Sequence, residues 1–438
     1  MHAGGPAIAA GRAISTRSYA YFVLGVLTLG YAVNVMDRAV LAVLNESIKQ
    51  EFGASDKLLG VLGGLPFALF YSTLGLPIAA LADRTSRRSV LAACVAVWSG
   101  ATALCGFASN FWWLLVARTG TAIGEAGGTP PSHALISDYF PARERGTALS
   151  LYALGVPIGA MIGSGLGGWA NDALGWRTTF ILIGLPGVLV ALLLRFVIRE
   201  PPRGYSDVVP LAVAKSETPP LREALRYLWG RPSFRHMAFA CGLHSLVWYA
   251  GSALNSSFLQ RSHAMTAGQA GFWLAVFAAT SAAGTLMGGL LADKLSVRYG
   301  DRRWYMWVPG GAIVAMVPFQ FSSYLGINLG VVVPSFILMQ TFGSMFFGPS
   351  FAMSQGLATL RTRAVGTSLT LFIQTLIGSG LGPFLTGAIS DYLYPAYGVD
   401  SMRYGLAIVG VINVWAAVHY FVAARTVRED LKLAETSP

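Results

Sequence analysis

The sequence predicts an all-α integral membrane protein: twelve transmembrane helices in two pseudo-symmetric six-helix bundles. Three observations lead there. Of 438 residues, 54% are hydrophobic and only 12% charged, about half the charged share of a soluble domain. Twelve apolar stretches approach the ~20 residues that a helix needs to cross a bilayer. Matched stretches recur between the two halves at a nearly constant offset. The net charge of +11 does not point to nucleic acid, because the basic residues are scattered among short links. Cys94, Cys105 and Cys241 lie far apart inside apolar runs, without CxxC or Cys/His spacing. Neither a metal nor a cofactor is expected.

The expected segments are 19–45, 58–80, 88–108, 111–137, 147–169, 177–198, 237–260, 269–291, 303–323, 328–350, 366–389 and 403–424. Arg12 and Arg17 precede the first. Its apolar run is longer than a signal peptide core and leads into a second run, so it reads as a retained span. Between segments six and seven lies the longest polar stretch, with Pro201, Pro202, Pro210, Pro219, Pro220 and a basic series from Arg199 to Arg235. The expected organisation is a tail (1–18), a bundle (19–198), a linker (199–236), a second bundle (237–424) and a tail (425–438).

Charge orients the segments. With the amino terminus in the cytoplasm, loops and tails on that side hold 24 of the 31 basic residues. The opposite side holds Lys49, Lys57, Arg177, Arg261 and Arg403. That asymmetry fits the positive-inside rule with both termini cytoplasmic.

The halves repeat. GLPIAALADRTSRR (75–88) matches GGLLADKLSVR (288–298), and RERGTALSL (143–151) matches RAVGTSLTL (363–371). WAND (169–172) matches AISD (388–391). Matched positions are separated by 210, 220 and 219 residues, the mark of a duplicated six-helix unit. Parallel repeats about an axis along the membrane normal are a transporter design.

Four charged residues sit in mid-span: Asp37 and Arg38 on segment 1, Arg118 and Glu125 on segment 4. Each costs roughly 2.5–3.5 kcal/mol at a helix centre, so each needs a partner or a wet cavity. Arg118 and Glu125, seven apart, share a face. Adjacent Asp37 and Arg38 point about 100° apart and cannot satisfy one another. Depth, at ~1.5 Å per residue, places Asp37 near Arg118. Side chains lean toward their helix N-terminus, which brings Arg38 and Glu125 together. Two pairs are expected, Arg38–Glu125 and Asp37–Arg118, facing a central cavity; a fixed clamp between helices 1 and 4 is the alternative. As a switch, protonating Asp37 or Glu125 frees an arginine for an anionic head group.

The second half offers an aromatic wall: His244, Trp248 and Tyr249 on segment 7, Phe342, Phe346 and Phe347 on segment 10, Phe372 and Gln374 on segment 11. His244, Trp248, Tyr249, Phe346 and Gln374, with Asn34, Arg38 and Arg118, form the candidate substrate-binding set. Packing within the bundle is the alternative for the aromatics. Gly155, Gly159, Gly163 and Gly167 fall at fourfold spacing, echoed by Gly378 and Gly382 beside Pro383. Such stripes let helices approach closely, either as a sliding seam between the halves or as static packing. Asp83, Arg84, Arg87 and Arg88 at the cytoplasmic end of segment 2, and Asp293 in the repeat, are candidate gating residues. A latch there would hold the inside closed.

ALADRTSRR resembles the loop 2–3 signature of the major facilitator superfamily, with Ala79 and Ser86 standing where that signature has glycines. NVMDR (34–38), VWSGATALCGFASNFWWLLVARTGTAIGEAGG (97–128), ISDYFPARERG (136–146) and GVPIGAMIGSGLGG (155–168) resemble its Spinster branch. The resemblance implies alternating access by two rocking bundles, and movement of lysophospholipids or sphingosine-1-phosphate coupled to protons. It also implies Asp37, Arg38, Arg118 and Glu125 as the polar functional set. A carrier of a small organic anion, such as an aromatic or sugar acid, is the alternative. No GxxxxGK[ST] motif is present, and no nucleophile is paired with a base, so neither ATP drive nor an enzyme is expected. The expected partners are cargo, protons and membrane lipids, with the chain as a monomer.

Overall fold

The computed structural model describes residues 16–202, 205–206, 221–359 and 362–436. Arg12, Pro210, Pro219 and Pro220 lie outside the described residues. In the first half, α1 (Arg17–Phe52), α2 (Asp56–Arg84) and α3 (Arg87–Cys105) make one crossing each. The fourth crossing is α4 (Phe111–Glu125) followed by α5 (Thr129–Tyr139). The fifth is α6 (Ala142–Ala153) with the first part of α7 (Gly155–Leu192); the sixth is the rest of α7 and a π-helical turn at Leu193–Val197.

A linker helix, α8 (Leu221–Trp229), leads into the second half. There α9 (Pro232–Ser262), α10 (Ala267–Tyr299) and α11 (Trp304–Leu325) are crossings seven to nine. The tenth is α12 (Leu329–Ser344) and α13 (Phe347–Gly356). The eleventh is α14 (Arg363–Ile373), a π-helical turn at Gln374–Ser379, and α15 (Gly380–Tyr397). The twelfth is α16 (Ser401–Gly410) and α17 (Ile412–Thr436). The face where α1 begins and α17 ends is called terminal below; the opposite face is distal.

Polar side chains start these helices. Thr16, Ser55, Ser86 and Asn110 each accept a hydrogen bond from the backbone N–H three residues on. Thr266 and Gln269 form a reciprocal capping box on α10. Each such cap contributes on the order of 1 kcal/mol. At the turn between crossings five and six, Gly175 has φ +78°, a conformation that only glycine adopts cheaply, so one continuous hairpin joins them.

The interruptions obey the repeat. Crossing four breaks at Ala126–Gly128 and crossing ten at Met345–Phe346; crossing five breaks at Leu154 and crossing eleven loosens at Gln374. Leu154 and Gln374 are 220 residues apart, the offset of the repeated motifs. Each bundle has its own apolar core. Leu44, Ile48, Leu114 and Phe180 are fully buried in the first, and Phe234, Phe258, Phe336 and Tyr420 in the second.

The glycine stripe corrects one expectation. Gly155, Gly159, Gly163 and Gly167 lie against Thr28, Ala32, Met36 and Val40 of α1, inside the first bundle. Gly378 and Gly382 likewise lie against α9 of their own bundle. The seams between halves use other positions. Gly168 meets Ala267 and Gly271 meets Ser164, while Gly60 meets Pro383 and Gly64 meets Ser379. A one-residue step turns a helix by about 100°, so neighbouring glycines on α7 serve different interfaces.

Candidate functional site

Helices α1 and α4 lie in one bundle, and their four mid-span charges form two pairs. Arg38 donates from Nε to Glu125 Oε2 at 2.6 Å and from Nη2 to Asn34 Oδ1 at 2.9 Å. Asn34 thereby orients the guanidinium from one turn earlier on α1. Arg118 donates from Nη1 to Asp37 Oδ2 at 2.8 Å, and Thr102 of α3 donates to Asp37 Oδ1 at 2.7 Å. The pairing expected from depth is the pairing formed.

The two pairs differ in access. The Arg118 and Asp37 side chains are 8% and 2% exposed, a buried clamp whose guanidinium edges the cleft. The Arg38 side chain is 33% exposed, against 1% for Glu125. The guanidinium of Arg38 stands 3.9 Å from the centre of the Phe67 ring, a contact that favours a cation on an aromatic face. Glu125 Oε1 is buried and has no hydrogen-bond partner among the described residues.

Arg38, Arg118 and Glu125 border a cleft between the bundles with about 680 Å³ of empty space. Leu41, Leu62, Phe67 and Ala122 supply an apolar wall from the first bundle. Tyr249, Ser252, Ala253 and Pro383 face them from the second. Tyr249 is thus the expected second-half aromatic that reaches this wall.

His244 and Phe346 are corrections. His244 is 1% exposed, with Nδ1 2.8 Å from Asn413 Oδ1 and Nε2 2.8 Å from the Gly343 carbonyl. Phe346 is fully buried and packs edge-on against that imidazole. Trp248 shares the inner cavity with His244, and Gln374 is buried at the π-helical turn. All four turn into their own bundle. On an apolar helix without a polar stripe, sequence does not set which side faces inward.

The cleft is sealed on the distal side by contacts that sequence reasoning missed. Arg261 of α9 forks onto both oxygens of Glu46 on α1 and both of Asp56 at the start of α2, at 2.6–2.8 Å. Such bidentate charge-assisted bonds are the strong kind. Lys49 and Ser390 also bind Asp56, at 2.5 and 2.6 Å. Asp391 accepts from the backbone N–H groups of Asp56 and Lys57, capping α2 from the opposite bundle. Asp172 accepts from those of Ala267 and Gly268, capping α10. Carboxylates at helix N-termini complement the dipole there. These are the aspartates of WAND and AISD, so the repeat supplied the signal, though not the partners.

The terminal face is built differently. Arg87 bridges Asp138 and Asp83, the latter at 3.6 Å. Glu200 caps α3 through Ser86 and the N–H groups of Arg87 and Arg88. Arg88 donates to the Ile198 carbonyl, and Tyr305 donates to Asp293. Arg84 is exposed, and the Asp83 side chain is 66% exposed. All these bonds stay within one bundle. Among the described residues, the hydrogen bonds joining the two bundles lie at the distal side.

Two repeated six-helix bundles around a midplane cleft, shut at one end, define a secondary transporter. The profile of the Major Facilitator Superfamily matches residues 27–383. An "MFS-type efflux pump" of Mycolicibacterium smegmatis is 30% identical over 415 residues, covering 94% of each chain. Human "Protein spinster homolog 1" is 28% identical over 396 residues, covering 85% of this chain and 73% of that one. The crystal structure of a bacterial homolog of the human lysosomal transporter Spinster, inward-facing and unoccupied, superposes with a TM-score of 0.86. It is 31% identical and covers 95% of this chain and 99% of the other. The chain belongs to the Major Facilitator Superfamily, and within it to the Spinster branch. It is a transporter rather than an enzyme.

Proposed function

We propose that the chain is a proton-coupled carrier of an amphipathic lipid with an anionic head, of the lysophospholipid or sphingosine-1-phosphate kind. The observation that carries this reading is the unequal access of one ion pair, Arg38 open to the cleft and Glu125 buried behind it. An incoming anionic head competes with Glu125 for the guanidinium. A carboxylate that loses its cation in an apolar site takes up a proton. Cargo binding and protonation then favour one another, which is the differential interaction that coupling requires. Asp37, held by Arg118 and Thr102, is the second candidate proton site. The apolar wall of Leu41, Leu62 and Phe67 suits a lipid tail.

In this reading the terminal face is cytoplasmic, in a bacterial inner membrane, and the state is inward-facing. The basic residues concentrated on that face support the orientation, and the inward-facing Spinster homolog supports the state. Asp83, Arg84, Arg88 and Asp293 would join across the bundles once that face closes. The transporting unit is the monomer, since each chain holds a whole cleft.

The test is flux in proteoliposomes, comparing lysophospholipids with aromatic and sugar acids, with and without a pH gradient. Gradient-dependent uptake of the lipid supports the reading. Uptake of the small acids alone overturns it.

A further inference from the structure

The strongest unassigned chemistry lies inside the second bundle. His244 borders a small internal gap, together with Gln320, Tyr324 and Asn413. As placed, the imidazole faces an oxygen at each nitrogen: Asn413 Oδ1 at Nδ1 and the Gly343 carbonyl at Nε2, both at 2.8 Å. Two acceptors require two N–H donors, so this arrangement belongs to the charged ring. Asn413 Nδ2 donates to Gln320 Oε1 at 2.7 Å, leaving Gln320 Nε2 buried without a partner among the described residues.

A second arrangement fits the same atoms. Turning both amides over lets Gln320 Nε2 donate to Asn413 Oδ1, and Asn413 Nδ2 donate to an unprotonated Nδ1. Nε2–H stays on Gly343. The unpartnered group is then a carbonyl oxygen rather than an NH₂. The two patterns differ by one proton.

We propose that His244 is a proton-binding site of the second bundle, whose ionisation is tied to reversal of the Asn413 and Gln320 amides. One proton from water forms the Nδ1–H bond as the amides turn; no other group changes its charge. The cavity wall carries no carboxylate, lysine or arginine. The titratable groups nearby are Tyr324 of α11, bonded to Asn255, and Cys241 of α9, bonded to Tyr420 of α17. From crossing ten the ring meets the Gly343 carbonyl and Phe346, with the uncharged Met339 and Gln340 lining the same gap. Position gives the site its consequence. Gly343 precedes the break at Met345–Phe346, and Asn413 follows the interruption at Val411. The ring therefore braces two helix breaks, and its charge state acts on both. The inference stands independently of the cargo proposed above.

The test is ¹⁵N NMR of the full-length chain labelled at its six histidines, without cargo. His244→Gln identifies the resonance. Should that variant fail to fold, Asn413→Asp identifies it through its shift. As pH falls from about 8 to about 5, Nδ1 should change from an unprotonated to a protonated signal. In Asn413→Asp, where the neighbour only accepts, Nδ1 should stay protonated throughout. A wild-type Nδ1 signal that does not change over that range overturns the proposal.

Discussion

Arg38 and Glu125 meet at 2.6 Å, yet one is a third exposed and the other is sealed. Asp37 and Arg118 meet at 2.8 Å with both buried. The difference separates the two carboxylates by experiment. Asp37→Asn leaves Arg118 buried beside a neutral amide, a loss of about 3–5 kcal/mol. Glu125→Gln leaves Arg38 in contact with solvent and Asn34, so the loss is smaller. Thermal unfolding in detergent should therefore show a much larger drop for Asp37→Asn. Equal drops would mean the cleft does not reach Arg38.

Removing Arg261 should open the distal face. Without it, Glu46 and Asp56 keep two carboxylates close together with Lys49 as their remaining cation. Spin-label distances between the loops that follow α1 and α9 should lengthen in Arg261→Ala. An unchanged distance distribution would place the seal elsewhere.

Two glycines should behave differently. A methyl group at Gly60 meets the Pro383 carbonyl across the bundles, and one at Gly159 meets the Ala32 backbone within a bundle. Gly159→Ala should lower stability by about 1–3 kcal/mol through overpacking. Gly60→Ala should fold but shift the chain toward the distally open state. Unfolding midpoints together with the same spin-label distances check both.

On the terminal face, Asp301 sits in the loop between α10 and α11. Burial opposes its ionisation, but Arg428 and Arg303 outweigh it and hold the carboxyl down at about 2. An unfolded aspartate titrates near ~3.9. The contribution is therefore fully present above that value and lost as pH falls toward about 2. Wild-type stability should fall through that window more steeply than that of Asp301→Asn. Parallel acid profiles would contradict the assignment.

Much of this was legible in the sequence, for identifiable reasons. A fixed rise per residue converts spacing into depth, so the partners of Asp37 and Arg38 followed from position along the helix. The facing of His244 and Phe346 did not, because an apolar helix carries no polar stripe to fix its rotation. Nor did the distal seal, since Arg261 and Asp56 are 205 residues apart, and Asp56 and Asp391 335 apart. The breaks at Leu154 and Phe346 each fall three residues before a proline, Pro157 and Pro349, whose missing N–H and ring clash interrupt the helix one turn earlier. That signal was in the sequence, inside runs otherwise apolar enough to read as continuous spans.

The central claim is that an anionic cargo takes Arg38 from Glu125, which then binds a proton. Calorimetric titration of the purified chain with a lysophospholipid, repeated in buffers of different ionisation enthalpy, measures proton uptake on binding. The expected result is uptake of up to one proton per cargo in the wild type, with that uptake lost in Glu125→Gln while binding persists. Binding without proton uptake, or uptake unchanged in Glu125→Gln, would contradict it.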